Sequence, residues 1–153
     1  MDIIIETPRD SRAKYKYNKK DGNFILKNLL PLGMVFPYAF GFIPGTKGED
    51  GDPLDAMVIS ESVLNMGTVI KCRLVGALKA EQREEQETIR NDRFLFIPDS
   101  SVSFAHVTDI SQMGEEHNEQ LSQFFINYNK VFGKFFTPLE WIDSTAAKKL
   151  LDK

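Results

Sequence analysis

The residue pattern changes period about two-thirds of the way along the chain, and that change restricts the fold more than any other feature. Before it, short apolar runs alternate with polar residues and end at Pro, Gly or charged turns, as strands do. The run IIIET at residues 3–7 is rich in β-branched residues and is stopped by Pro8. Ala13–Asn18 alternates around Lys14, Lys16 and Tyr17, and Lys19-Lys20-Asp21-Gly22 reads as a hairpin turn into residues 23–26. An aromatic, proline-punctuated stretch, MVFPYAFGFIP, leads to a polar loop at 45–51. Further strands are expected over 55–60, 69–78 and 93–97, with 81–87 as a charged hairpin tip longer than a tight turn. After the change, Leu121, Phe124, Phe125 and Tyr128 recur at helical spacing, and Ser144 is expected to cap a final helix with Ala147, Leu150 and Leu151 on one side. Five or more short strands followed by helices imply a mainly β fold with α: a small β-barrel with C-terminal helices packed outside it, in one domain over 1–153.

Charge and cysteine content remove several function classes. The formal net charge is −3, so no bulk basicity argues for a nucleic-acid or membrane-surface partner. With a single cysteine, Cys72, in the alternating run VIKCRLVGAL, and only two histidines, His106 and His117, a Cys/His zinc site is nearly excluded. The opening MDIIIETPRD has neither a basic start nor a long apolar stretch, and no run reaches membrane-spanning length, so a cytoplasmic location is expected.

The densest chemistry lies in the loop Glu49-Asp50-Gly51-Asp52-Pro53-Leu54-Asp55, four carboxylates in seven residues. Such crowding is repulsive, and a hard divalent cation such as Mg²⁺ relieves it. Gly51 permits a tight turn and Pro53 stiffens it, so the aspartates can converge. The order does not fit an EF-hand. A solvated acidic turn suits the same residues, and spacing alone does not separate the two readings. Arg9, Arg12, Lys14, Lys16, Lys19 and Lys20 crowd the preceding region, and alternation puts Lys14 and Lys16 on one strand face. An acidic metal cluster opposite lysines and arginines is what phosphoryl transfer requires.

In these residues the chain resembles the family I soluble inorganic pyrophosphatases, whose signature Asp-x-Asp-Pro-hydrophobic-Asp is matched by DGDPLD at 50–55. IIIETP with Glu6, the pair Lys14-Tyr15, FPYAFGFIPGT, GTVIKCRLVGALK, HVTDI and FFINY follow in the family's order and cover nearly the whole chain. The resemblance implies a five-stranded, OB-like barrel with its active site in the barrel mouth. It also implies Mg²⁺-dependent hydrolysis of inorganic diphosphate by a metal-activated water. Asp50, Asp52 and Asp55 are then metal ligands, with Asp52 also beside the attacking water as ligand or general base. Lys14, Arg93 and Tyr128 hold phosphate oxygens, and Glu6 acts through water. Tyr128 also falls on the apolar face of its helix, and both roles stay open for it. By the same analogy the chain is a homo-oligomer, hexameric in bacterial relatives, and lacks the segment that usually precedes the first strand.

The match breaks at particular positions. Two further metal-binding aspartates of the family fall at Gln82 and Asn91, with Glu81 and Asp92 as possible replacements, although alternation turns Asp92 away from its neighbours. The Glu after the Lys-Tyr pair is Lys16, a phosphate-binding Arg falls at Asn28 beside Lys27, an aromatic-segment Tyr is Phe40, and the Lys after Tyr128 is Asn129. Fewer carboxylates imply fewer or weaker metal ions, with Lys16 able to pair with phosphate directly. Three other functions compete: a phosphohydrolase acting on an organic diphosphate or other phosphoanhydride, a non-catalytic OB-like module that stacks single strands on Phe36, Tyr38, Phe40 and Phe42, and a regulatory pseudoenzyme that binds a diphosphate without cleaving it.

Overall fold

The computed structural model describes residues 1–153, all of the chain. Nine strands and two helices run in the order β1 (Asp2–Thr7), β2 (Ala13–Asn18), β3 (Asn23–Leu29), β4 (Ala39–Phe42), β5 (Asp55–Val58), β6 (Val69–Glu84), β7 (Glu87–Arg90), β8 (Arg93–Pro98), α1 (Glu115–Val131), β9 (Phe135–Asp143) and α2 (Ser144–Leu151). A 3₁₀ turn at Ile110–Met113 precedes α1. The chain is mainly β with few helices, as expected.

The strand pairings connect β1 to β4, β4 to β5, β5 to β8, β8 to β6, and β6 back to β1. All are antiparallel except β5 with β8, which run parallel with Ala56 opposite Phe94. The sixteen-residue β6 makes most of these links possible, because it is long enough to serve β1, β8, β7 and β9 in succession. β2 and β3 form a separate hairpin, tied to β1 where the Thr7 hydroxyl donates to Tyr15 O at 3.1 Å and accepts from Tyr15 N at 3.0 Å.

Alternation explains how one strand serves two cores. In β8, Phe94 and Phe96 pack with Ile3, Ile5, Val58, Cys72 and Ala77, while Leu95 and Ile97 pack with Met57, Val75, Leu78 and Phe125 of α1. Both faces are covered, which is why RFLFIP reads as a continuous apolar run. A third cluster, Leu30, Phe36 and Tyr128, closes the gap between the hairpin and α1. At Gly41 the sheet tolerates no side chain, since a Cβ there would lie 2.1 Å from Ile4 O on the neighbouring strand.

Four local expectations are corrected. The tip over 81–87 is in fact a two-residue turn at Glu85-Gln86, with β6 running on to Glu84, so the expected strand end at 78 falls six residues short. Glu85 adopts φ 55 without being Gly or Asn, so the turn carries no sequence signal. The strand expected over 55–60 ends at Val58. The cap of α2 is Asp143 rather than Ser144: Asp143 is extended (φ −73, ψ 174) and its carboxylate accepts from Ala146 N at 2.8 Å. β9, antiparallel to β6, was not expected at all.

Candidate active site

Several elements meet around a cavity of about 1210 Å³, open between the β2–β3 hairpin, the 43–54 loop and the ends of β5, β6 and β8. Strand alternation and a bulge together set which β1 residues face it. In β1, Ile3 and Ile5 are buried in the core, while Ile4, Glu6 and the buried Thr7 line the cavity. The pairing of β1 with β4 slips between Ile5 and Thr7, which places Glu6 in a bulge, a device that re-aims a side chain. Its Oε2 accepts from Tyr17 N at 2.8 Å, and burial raises its pKa above the usual carboxylate value. Lys14 and Lys16 both line the cavity from β2, and so do Tyr15 and Tyr17 of the same strand.

The acidic loop is held by its own hydrogen bonds. Thr46 Oγ1 donates to Ile43 O at 2.6 Å and accepts from Leu54 N at 2.9 Å. Asp50 Oδ1 accepts from Asp52 N at 3.0 Å, and Gly51 takes φ +88, which glycine adopts without strain. Asp50, Asp52 and Asp55 therefore line one wall of the cavity, whereas Glu49 turns away to accept from Arg90 N at 3.2 Å.

Asp55 and Arg93 open the adjacent parallel strands β5 and β8, one residue before the Ala56–Phe94 pair. That register brings their side chains together as an ion pair. Lys16 is paired in the same way with Asp52 across the cavity mouth. Arg93 Nη1 also donates to Asn91 Oδ1 at 3.1 Å, and Asn91 Nδ2 donates to Gln82 Oε1 at 2.9 Å. A chain of contacts thus runs Asp55–Arg93–Asn91–Gln82. Glu81 and Asp92 do not replace Gln82 and Asn91, since neither lines the cavity. Asp92 instead accepts from Ala80 N at 3.0 Å and pairs with Arg90 at 2.9 Å.

Unmet bonding capacity gathers at the cavity floor. Arg93 Nε and the Tyr128 hydroxyl are buried without a hydrogen-bond partner. Such orphaned groups cost about 1–3 kcal/mol each, more when charged. The Arg93 guanidinium lies over the rings of Phe125 and Phe136, 5.5 and 5.4 Å from their centroids, and burial lowers its pKa to about 10. Lys14 Nζ sits 5.2 Å from the Tyr128 ring centroid. Burial, and then the neighbouring charges of Arg93, Lys16 and Lys134, lower the Lys14 pKa to about 8. The Tyr128 ring packs on Phe36, Phe40, Phe124 and Phe132, as its place on the apolar helix face requires, and the residue also lines the cavity.

Sequence reasoning missed part of the cation set. Lys27 is the extra residue where the β2–β3 register slips between Lys14 and Tyr15, and it lines the cavity while Asn28 does not. Lys47 and Lys134 reach the cavity from loops with no local motif. Eight Lys and Arg side chains line it against five carboxylates, a local excess of three positive charges in a chain of net charge −3. The arrangement favours a polyanion.

Carboxylate oxygens are the donor type a hard divalent cation prefers, and Asp50 is clear of any ion pair, so the residues fit such an ion in chemistry. They do not form a closed cage. No three acidic, His or Cys side chains converge, because Lys16 and Arg93 hold two of the three aspartates and the Gln82 and Asn91 amides are neutral.

The sequence model described as inorganic pyrophosphatase matches residues 3–153. An inorganic pyrophosphatase of Nostoc sp. is 31% identical over 153 residues, 100% of this chain and 88% of that protein. One from Sulfolobus acidocaldarius is 31% identical over 151 residues, 97% of this chain and 85% of that protein. The crystal structure of the inorganic pyrophosphatase from Thermus thermophilus superposes with a TM-score of 0.90 at 31% identity, covering 99% of this chain and 87% of the other. That of the Helicobacter pylori enzyme gives 0.90 at 28% identity, with 99% and 89% covered.

Proposed function

This chain belongs to the inorganic pyrophosphatase family, hydrolases that act on pyrophosphate, and on that footing we propose that it cleaves inorganic diphosphate to two phosphates with Mg²⁺ as the divalent ion. The observation that carries the reading is the convergence of Arg93 Nε and the Tyr128 hydroxyl, buried donors in want of acceptors, with Lys14, Asp50, Asp52 and Asp55 on one cavity. We read the ring of pairings through β1, β4, β5, β8 and β6 as an OB-like barrel with this cavity at its mouth.

Phosphate oxygens supply the acceptors that Arg93 Nε and Tyr128 Oη lack, and Lys14 adds a buried cation, so binding relieves costs already present in the fold. Lys16, drawn to a phosphate, releases Asp52, whose carboxylate accepts the proton of the attacking water. The water oxygen bonds to one phosphorus as the bridging P–O bond breaks, and the leaving phosphate departs with the bonding electrons on its oxygen, next to Lys14 and Arg93. Asp50 and Asp55, with Asp52, would hold Mg²⁺, which supplies acidification of a bound water and neutralisation of phosphate charge. Exposed apolar side chains at Leu26, Leu29, Leu32 and Phe135 support a homo-oligomer.

The test is phosphate release from diphosphate with and without Mg²⁺, using the protein and its Asp52→Asn variant. Metal-dependent turnover that falls by about 10²-fold or more in the variant is expected. Undiminished turnover in the variant removes Asp52 from the mechanism. A second reading has its own support: Lys19, Lys20, Lys27 and Lys47 line the cavity beyond the floor, which leaves room and charge for an organic diphosphate. Higher turnover on such a compound than on diphosphate would favour it.

A further inference from the structure

Each aspartate that can reach a metal here already has a protein group on it or beside it. Lys16 holds Asp52, Arg93 holds Asp55, and Asp50 spends Oδ1 on the Asp52 amide. The cations are tethered, so they are present at the carboxylates whatever the metal concentration. The same two side chains also line the cavity, and Arg93 keeps an unused buried Nε there beside the unused Tyr128 hydroxyl. Lys14 stands over the Tyr128 ring, close to both. An entering anion finds Lys14, Arg93 and the Tyr128 hydroxyl at the floor and Lys16 at the mouth, without needing a metal to mask the aspartates.

We propose that the cavity binds a diphosphate-type anion without metal, and that Lys16 and Arg93 then exchange their carboxylate partners for phosphate oxygens and so open Asp52 and Asp55 to a divalent ion. The anion therefore precedes the metal. The exchange conserves the number of ion pairs at each cation: one carboxylate oxygen is given up and one phosphate oxygen is gained. It also adds acceptors for Arg93 Nε and Tyr128 Oη, which are unpaired before the exchange. Gln82 and Asn91 fit this order, because they are hydrogen-bonded to each other and present neutral amides that attract no metal in advance. Since the two ligands assist one another through shared side chains, each tightens the other by the same factor, on the order of tenfold.

The inference rests on the diphosphate reading of the cavity, and the experiment separates the two. Calorimetric titration with methylenediphosphonate, a non-hydrolysable analogue, is run in excess chelator and again with Mg²⁺. Binding in chelator is expected, weakened about tenfold or more in Lys16→Gln and restored in Lys16→Arg. Binding only with Mg²⁺ overturns the inference and leaves the diphosphate reading standing. Absence of binding under both conditions removes that reading and the inference with it. In the companion arm, free Mn²⁺ is followed by electron paramagnetic resonance during titration of the protein with no anion present. Lys16→Gln is expected to bind Mn²⁺ on the order of tenfold more tightly than the unaltered protein, because Asp52 is then unguarded. Equal affinities would show that Lys16 does not hold Asp52 against a metal.

Discussion

Lys14 gives the sharpest quantitative handle on this site. Its pKa in the free protein is lowered from 10.5 to about 8, first by burial and then by the charges of Arg93, Lys16 and Lys134. A bound polyanion acts in the opposite sense, since it favours the charged ammonium, so anion binding raises this pKa and takes up a proton. Below about pH 8 the lysine is already charged and affinity is flat. At pH 9 only about one-tenth of the free protein carries the charge, so affinity for methylenediphosphonate falls about tenfold between pH 7 and pH 9. Near pH 8 the titration should take up about half a proton per anion, read as a difference in apparent heat between two buffers of unlike ionisation enthalpy. Lys14→Arg keeps its charge throughout this range and should lose the alkaline fall. The ligand is the same in both titrations, so its own ionisation cancels in the comparison. An alkaline fall of equal size in Lys14→Arg would refute the assignment, as would a flat profile in the unaltered protein. The free protein shows the complementary sign. Its folded-state pKa is the lower one, so the unfolded chain holds more protons between about pH 8 and 10.5, and stability rises with pH across that window.

Other consequences are testable alone. Asn91→Asp adds a carboxylate beside Asp55 and Arg93 and should tighten Mn²⁺ binding by on the order of tenfold; an unchanged titration would mean that the neutral amides do not limit metal affinity. Asp143→Ala removes the cap of α2 and should cost about 1 kcal/mol in denaturant unfolding, while Ser144→Ala stays within a few tenths; the reverse order would restore Ser144 as the cap. Gly76→Ala places a Cβ 2.5 Å from Ile110 Cγ2 and 2.9 Å from Ile142 O, and should destabilise by about 1–3 kcal/mol in the same assay. A neutral result there would mean that the 3₁₀ turn yields readily.

Strands were legible for different reasons: β1 is buried on one face with period two, β2 alternates Lys and Tyr in its sequence, and β8 reads as a continuous apolar run because both of its faces are covered. β9 was not, because FFTPLEWID holds a proline and charged residues and owes its extended state to the length of β6 beside it. The cap of α2 was misplaced by one residue because Asp and Ser are both capable caps, and the extended backbone of Asp143 decides between them.

The sequence by itself determined the donor chemistry: three aspartates spaced by a tight turn, two lysines on one strand face, and neutral amides at Gln82 and Asn91. It also determined which family the chain resembles, since DGDPLD is contiguous. Only the tertiary structure decided who meets whom. Lys27, Lys47 and Lys134 join the cavity through a bulge and two loops, with no mark in their local sequence. Arg93 meets Asp55 because β5 and β8 run parallel in register, and Lys16 meets Asp52 because the hairpin is tied back to β1 through Thr7. Residue type and period are local properties that a chain carries in its order. Ion pairs and orphaned donors depend on distances between segments far apart in sequence, and those are set only once the cores have packed.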